Sequence, residues 1–493
     1  MAEYRSFKLV IMLNSIAGRK KEQQKLKRAL ESDKPEFIAL YGRRRIGKTF
    51  LIREFFGDRI GFELIGIYNA SLQEQLDNFA NSMSEALRID IPVKSPGSWQ
   101  EAFSMLKSFL ESKKFRGKKV IFLDELPWLN SSRSGFLKQL EHFWNSYASK
   151  KKNLILIVCG SAASWMIQHI VESKGGLHNR LTQQIRLLPF TLTEIKDYLR
   201  LRKIKNLDHY QILQLYMAIG GVPYYWSFVQ SGLSAAQMID DLIFAENAEF
   251  RNEYDQLFAS LFDNSNLHEK VIEALAGKRK GLNRKEILNV MKLKSGGTAT
   301  NIIRELEESG FIESYIPFEK NSNDAKFVLS DEFTLFHFYW IAPLGKRQLG
   351  NAYWMKMQTG SKFKAWSGHS FEGICLKHIE KIKFYLRIDK IQSDQAPWEY
   401  KPSKNSKEDG AQIDMLIDRK DMVINMCEMK FYQSEFTIDK SYAEELRRKM
   451  DVFKTRTNTR KSIFLTIVTS FGLKTNSHSI SLNVIGVSMD ALF

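Results

Sequence analysis

Over its first 190 residues the chain alternates short apolar, strand-like runs, at 37–41, 62–67, 120–123, 154–159 and around 184–188, with stretches whose apolar residues recur at helical spacing. Runs this short suit strands buried on both faces. Their alternation with helices predicts an α/β fold, a mostly parallel sheet covered on both sides. Such sheets bind ligands beyond the carboxyl ends of their strands, so the residues that follow each run are the first to read for chemistry.

The period then changes. Residues 191–264 are helical in pattern, interrupted at Gly220-Gly221-Val222-Pro223, and predict a helical lid. Residues 265–342 read as three helices and a hairpin, with Asn283 and Glu286 as an N-cap pair and Gly310 ending the third helix, the outline of a winged helix. That third helix sets Arg304 against Glu305, Glu307 and Glu308, a face that phosphates would repel, while Lys320 and Lys326 in the hairpin weigh the other way. The stretch 343–368, with Gly345, Gly350, Gly360 and Gly368 and no period, reads as a linker. Residues 369–493 read as a helix from about Ser370, strands near 412–417, 422–432 and 463–468, and a helix around 440–455.

At 493 residues the chain is too long for one core, and 44% hydrophobic with 26% charged residues is a globular composition. No window approaches the ~18 uninterrupted apolar residues of a membrane span, which points to the cytoplasm and to no membrane partner. Cys159, Cys375 and Cys427 have neither metal-site spacing nor the density of a disulfide framework. The formal charge of +17 favours polyanionic partners, DNA among them, through counterion release.

The octapeptide Gly42-Arg43-Arg44-Arg45-Ile46-Gly47-Lys48-Thr49 fits G-x-x-x-x-G-K-[ST] and lies between a strand-like run and a stretch that can form a helix. Its glycines let successive N–H groups face a phosphate, Lys48 neutralises the β- and γ-oxygens of ATP, and the Thr49 hydroxyl binds Mg²⁺. Asp124 and Glu125 end the third apolar run, on a strand expected beside the first. Asp124 would order the Mg²⁺ and Glu125 would polarise the attacking water. Ser161, after the next run, would reach the γ-phosphate between the two. Arg180 and Arg186 are candidate arginine fingers, in cis or across a homo-oligomer interface.

Together with Ile16-Ala17-Gly18-Arg19, Gly160-Ser161 and the Gly-Gly-x-Pro break, these motifs resemble the archaeal-type P-loop ATPases of the AAA+/STAND division over about two thirds of the chain. The resemblance implies that Arg19 lies near the adenine and that Pro223 packs on the base. On the residues alone, Pro223 simply starts a helix after a break.

The C-terminal region carries a second constellation. Glu428 and Lys430 lie two apart on a strand and share a face, Asp414 lies on the preceding strand, and Glu372 lies on a helix. Three carboxylates can hold Mg²⁺, and the lysine can position a hydroxide or stabilise a pentacoordinate phosphate. The pattern resembles the PD-(D/E)xK, restriction-endonuclease-like fold, with Asn425 standing where an acid would be expected. A two-residue loop at Arg419-Lys420 would set Asp414 opposite Asn425, on the face away from Glu428. A shared site therefore requires a three- or five-residue loop or a β-bulge. Lys440, Arg447 and Lys449 on the following helix would face a nucleic-acid backbone or solvent, with Tyr442, Leu446, Met450 and Phe453 inward. Two functions remain open: an ATP-driven enzyme that cuts or binds DNA with Mg²⁺, and an ATP-dependent switch whose C-terminal domain is an inactive protein-interaction module.

Overall fold

The computed structural model describes residues 16–90, 92–112, 117–173, 175–262, 265–293, 297–345, 352–403 and 408–493. The expected boundary near 264 and residues 346–351 of the 343–368 stretch lie outside the described residues.

The first sheet is parallel and five-stranded, in the order β2-β3-β4-β1-β5, from β1 (Glu36–Tyr41), β2 (Ile60–Ile65), β3 (Lys119–Asp124), β4 (Leu154–Gly160) and β5 (Gln183–Arg186). Every residue of β1 and β4 is buried. Alternate side chains go to opposite faces. Phe37, Ala39 and Leu123 join one core, and Ile38, Leu40 and Phe122 the other. The expectation that the Asp124 strand lies beside the first strand is corrected: β4 pairs with both β1 and β3 and separates them. The parallel crossovers allow a later strand to insert there, and no local pattern reports it.

The helices His209–Ile219 and Pro223–Trp226 form part of a helical layer whose apolar residues pack in a third core, separate from the two that flank this sheet. The three helices Asn266–Ala276, Arg284–Met291 and Gly297–Glu308 follow, with a small antiparallel sheet in the order β6-β8-β7 from β6 (Leu282–Asn283), β7 (Ile312–Tyr315) and β8 (Lys326–Leu329).

The C-terminal sheet is mixed, in the order β13-β12-β11-β10-β9. Its strands are β9 (Ser393–Tyr400), β10 (Ala411–Arg419), β11 (Val423–Lys430), β12 (Ser462–Thr469) and β13 (Ile485–Ser488). The sequence pattern gave no sign of β9, because Pro397 interrupts it. The proline is tolerated because β9 is an edge strand whose register on β10 shifts between Ile413 and Leu416. The linker expectation is also corrected: the helix Ser361–Lys377 starts well before Ser370. Trp354 and Trp366 decide this by packing on Phe336 and Trp340, with Phe363 against both tryptophans, burial that outweighs the glycines. One continuous apolar core joins the helical layer, the helix Ser361–Lys377 and one face of the C-terminal sheet.

Candidate active site

The phosphate loop follows β1 directly. Gly42 has φ +146, and a Cβ there would come 2.3 Å from the Leu187 carbonyl oxygen, so only glycine fits. Gly47, at φ +86, starts the helix Lys48–Phe56, whose N-terminal N–H groups form an anion site. Lys48 Nζ donates to the carbonyls of Gly42 (2.9 Å) and Arg43 (2.9 Å) and to Ser161 Oγ (3.0 Å). Ser161 Oγ donates in turn to Glu125 Oε1 (2.5 Å), and its N–H donates to Glu125 Oε2 (3.1 Å). Thr49 Oγ1 donates to Asp124 Oδ2 (2.5 Å), while Asp124 Oδ1 accepts from the Glu125 N–H (2.8 Å). Glu125 itself has left-handed backbone, φ +46, which turns its carboxylate toward β4.

The strand order explains this geometry. With β4 between β1 and β3, the residue after β4 falls between the loop lysine and the acidic pair, so Ser161 bridges Lys48 and Glu125. The Thr49 hydroxyl and Asp124 carboxylate lie side by side, and such oxygen donors suit Mg²⁺.

The three loop arginines each reach a different neighbour. Arg43, 1% exposed, pairs with Asp331 and lies 4.8 Å over the Phe311 ring. Burial alone would lower its pKa, but the Asp331 charge outweighs this and holds it above the usual arginine range. Arg44 lies 5.7 Å over Trp128, next to Glu125. Arg45 pairs with Glu253 and lies 4.4 Å over Tyr224, whose N–H approaches the Arg45 carbonyl at 3.4 Å. Pro223 begins the short helix containing Tyr224. Arg19 is buried, donating to the Leu188 carbonyl (2.6 Å) and the Ile46 carbonyl (3.2 Å), so its donors brace the loop against the end of β5. Arg180 is exposed. Arg186 is not free to act as a finger: it caps the helix Gly297–Glu308 through the Glu307 carbonyl (2.5 Å) and the Glu308 carboxylate (3.3 Å).

In the C-terminal sheet the loop between β10 and β11 has three residues, Lys420, Asp421 and Met422, the last at φ +67. The register pairs Met415 with Cys427, which sets Asp414 opposite Glu428 on one face. Glu428 is fully buried. Lys430 Nζ donates to it (3.1 Å) and lies 3.8 Å from Asp414, and Tyr442 Oη donates at 3.3 Å. Burial, then the Asp414 charge, pushes the Glu428 carboxyl up; burial would lower Lys430, but Glu428 and Asp414 hold it high.

Two expectations are corrected here. Lys449 does not face solvent or a nucleic acid: it is buried and donates to both Glu428 oxygens at 2.9 Å, because a fully desolvated carboxylate needs a second cation. Glu372 does not join Asp414 and Glu428 but pairs with Arg279, in the loop after the helix Asn266–Ala276. Among the described residues no group of three or more His, Cys, Asp or Glu stands ready to hold a metal. Asp414 and Glu428 still offer two facing carboxylates, hard oxygen donors of the type divalent cations take.

Sequence reasoning missed Asp331, Glu332 and Lys377, and the partners of Arg43 and Lys449. Asp331 had a local signal, as an N-cap whose carboxylate accepts from the Thr334 N–H (3.0 Å) and hydroxyl (2.6 Å). The rest had none, since their partners are remote in sequence.

Residues 16–228 match the model of a family described as an ATPase domain predominantly from Archaea. Uncharacterized protein MJECL04 of Methanocaldococcus jannaschii is 25% identical over 328 residues, 66% of this chain and 68% of that protein. The solved Walker-type ATPase PABY2304 of Pyrococcus abyssi is similar at 18% identity and a TM-score of 0.47, over 66% of this chain and 96% of that one. The Aeropyrum pernix ORC2 protein is similar at 15% identity and a TM-score of 0.37, over 66% and 94%. No helix among the described residues is long and apolar enough to cross a membrane. With the loop after β1, the acidic pair after β3 and the serine after β4, the segment 16–228 is similar to the P-loop ATPase domains of the archaeal type.

Proposed function

We propose that the protein hydrolyses ATP with Mg²⁺ at the Gly42–Thr49 loop and uses the nucleotide state to control a C-terminal domain that acts on DNA. The observation that carries the ATPase reading is the Lys48–Ser161–Glu125 network, which sets a phosphate-neutralising cation and a general base on either side of one hydroxyl. Bound ATP would take over the Lys48 protons now donated to Gly42 and Arg43, and Thr49 and Asp124 would hold Mg²⁺, whose charge offsets that of the β- and γ-oxygens. Glu125, released from Ser161, would orient the attacking water.

For the C-terminal domain, Asp414, Glu428 and Lys430 on one face of β10 and β11 support a nuclease-type, Mg²⁺-dependent reading, with the three-helix segment as a winged helix. The second reading is a switch whose C-terminal domain is a protein-interaction module, and the Lys449 clamp on both Glu428 oxygens favours it. The cleft between β7–β8 and β9 carries as many acidic as basic side chains, so its charge does not select a polyanion.

ATP turnover, nucleotide binding and DNA cleavage in Mg²⁺, each with and without ATP, test these readings on wild type, Lys48→Ala, Glu125→Gln and Lys430→Ala. Glu125→Gln should keep binding while turnover falls by about 10²–10⁴, and Lys48→Ala should lose binding. Cleavage that persists undiminished in Lys430→Ala, or is absent in wild type, removes the nuclease reading and leaves the switch.

A further inference from the structure

Two carboxylates from outside the segment 16–228 hold the phosphate loop. Asp331, 288 residues from Arg43, and Glu253, 208 residues from Arg45, are each 3% exposed, and each pairs with its loop arginine. Local structure fixes both acids. Asp331 Oδ2 accepts from the Thr334 N–H (3.0 Å) and hydroxyl (2.6 Å) as a helix cap, which leaves Oδ1 for Arg43. Its own N–H reaches the carbonyl of Phe311 (3.3 Å), the residue whose ring lies against the Arg43 guanidinium. Glu253 Oε1 accepts from the buried Tyr225 hydroxyl (2.8 Å), which leaves Oε2 for Arg45. Burial would raise the Asp331 carboxyl, but the Arg43 charge outweighs this and holds it below the usual carboxylate range, so the buried pair stays ionised.

Stability is a poor reason for these pairs. Apolar side chains of similar volume often serve a buried site as well as an ion pair does, and Arg43 leaves Nε and Nη2 without a partner among the described residues. What the pairs supply is position. Arg43 and Arg45 are anchored on either side of Arg44, and the backbone between them belongs to the turn whose N–H groups face a phosphate. The Arg43 carbonyl is also an acceptor for Lys48 (2.9 Å), so the same anchor sets where the lysine waits. A loop fixed in advance needs no binding energy to order it. We propose that Asp331 and Glu253 are positioning residues of the nucleotide site: by holding Arg43 and Arg45 they preform the phosphate loop, and the site is complete only with the chain beyond residue 228 docked against it. The proposal rests on the reading of the loop as an ATP site.

The test is the affinity of the full chain for a fluorescent, nonhydrolysable ATP analogue in Mg²⁺, measured beside ATP turnover and the thermal unfolding midpoint. Wild type is compared with Asp331→Asn, Glu253→Gln and the double variant Arg43→Met with Asp331→Leu. Each single variant should bind the analogue about tenfold more weakly, the cost of ordering a loop no longer fixed in advance. Turnover at saturating ATP should change by less than about threefold, because Asp124, Glu125 and Ser161 are not attached to either arginine. The double variant leaves no charge buried, so it should regain the unfolding midpoint and still bind as weakly as Asp331→Asn. If Asp331→Asn fails to fold, Glu253→Gln decides, since Arg45 is 34% exposed and keeps contact with water. Wild-type affinity in the folded single variants, or affinity restored together with the midpoint in the double variant, overturns the positioning role. A wild-type protein that binds no analogue overturns the ATP-site reading instead.

Discussion

Breaking the Arg43–Asp331 pair should cost more than any other single charge change near the phosphate loop. Both side chains are buried, 1% and 3% exposed. Asp331→Asn keeps an oxygen for the Thr334 cap, so it isolates the charge; the arginine is left buried without a counter-ion, a loss of about 3–5 kcal/mol. Arg43→Met should cost less, because it also removes two buried donors that have no partner, each a burden of roughly 1–3 kcal/mol. The double variant should be less destabilised than the sum of the two, with a coupling of about 2–3 kcal/mol. For a cooperative unit of this size that is a shift in Tm of about 2–4 °C per kcal/mol. Urea and thermal unfolding of all four proteins, followed by circular dichroism without nucleotide, measures the cycle. Additive single effects would refute the reasoning, since they would mean the two groups do not stabilise each other.

Three further outcomes follow from the geometry. His378 Nδ1 donates to the Ile374 carbonyl (2.8 Å), and its Nε2 accepts from the Leu192 N–H (3.1 Å), a tautomer assigned from those bonds. Burial takes its pKa down to about 4. Between that value and the unfolded value near ~6.5 the folded state binds fewer protons, so its contribution is complete above about pH 6.5 and falls as pH drops toward 4, by on the order of 3 kcal/mol. A His378→Gln protein should show a shallower loss of Tm across that window. Gly221→Ala should unseat the Gly-Gly-x-Pro break, because a Cβ would come 2.0 Å from the Phe190 carbonyl oxygen; limited proteolysis near residue 221 should accelerate. Lys449→Met should cost about 1.5–3 kcal/mol by removing the charged hydrogen bonds to Glu428, with Lys430 still in place, and an unchanged unfolding midpoint would show that the clamp contributes nothing.

The phosphate loop was legible because its chemistry is local. Gly42, Gly47, Lys48 and Thr49 must be adjacent for one turn and one helix start to form the site, and the structure places them so. Ser161 and the Asp124-Glu125 pair were legible as strand ends, but their arrangement was not, because it depends on β4 entering between β1 and β3. Asp414 and Glu428 were conditional on the loop length, and the three-residue turn ending at Met422 sets them face to face. Lys449 misled because helical period assigns a charged residue to the solvent side. Here the helix Lys440–Thr457 lies on the face of the sheet where Glu428 is buried, and the carboxylate draws the lysine inward.

The sequence by itself determined the α/β alternation, the nucleotide-binding loop and the residue types at both sites, since each follows from periodicity or from groups a few residues apart. Only the tertiary structure decided which charges meet. Arg43 with Asp331, Glu332 with Lys377, Arg279 with Glu372 and Lys449 with Glu428 are pairs in which at least one partner is buried. The physical reason is desolvation: a charge removed from water must find an opposite charge wherever packing brings one near, and sequence distance has no part in that requirement.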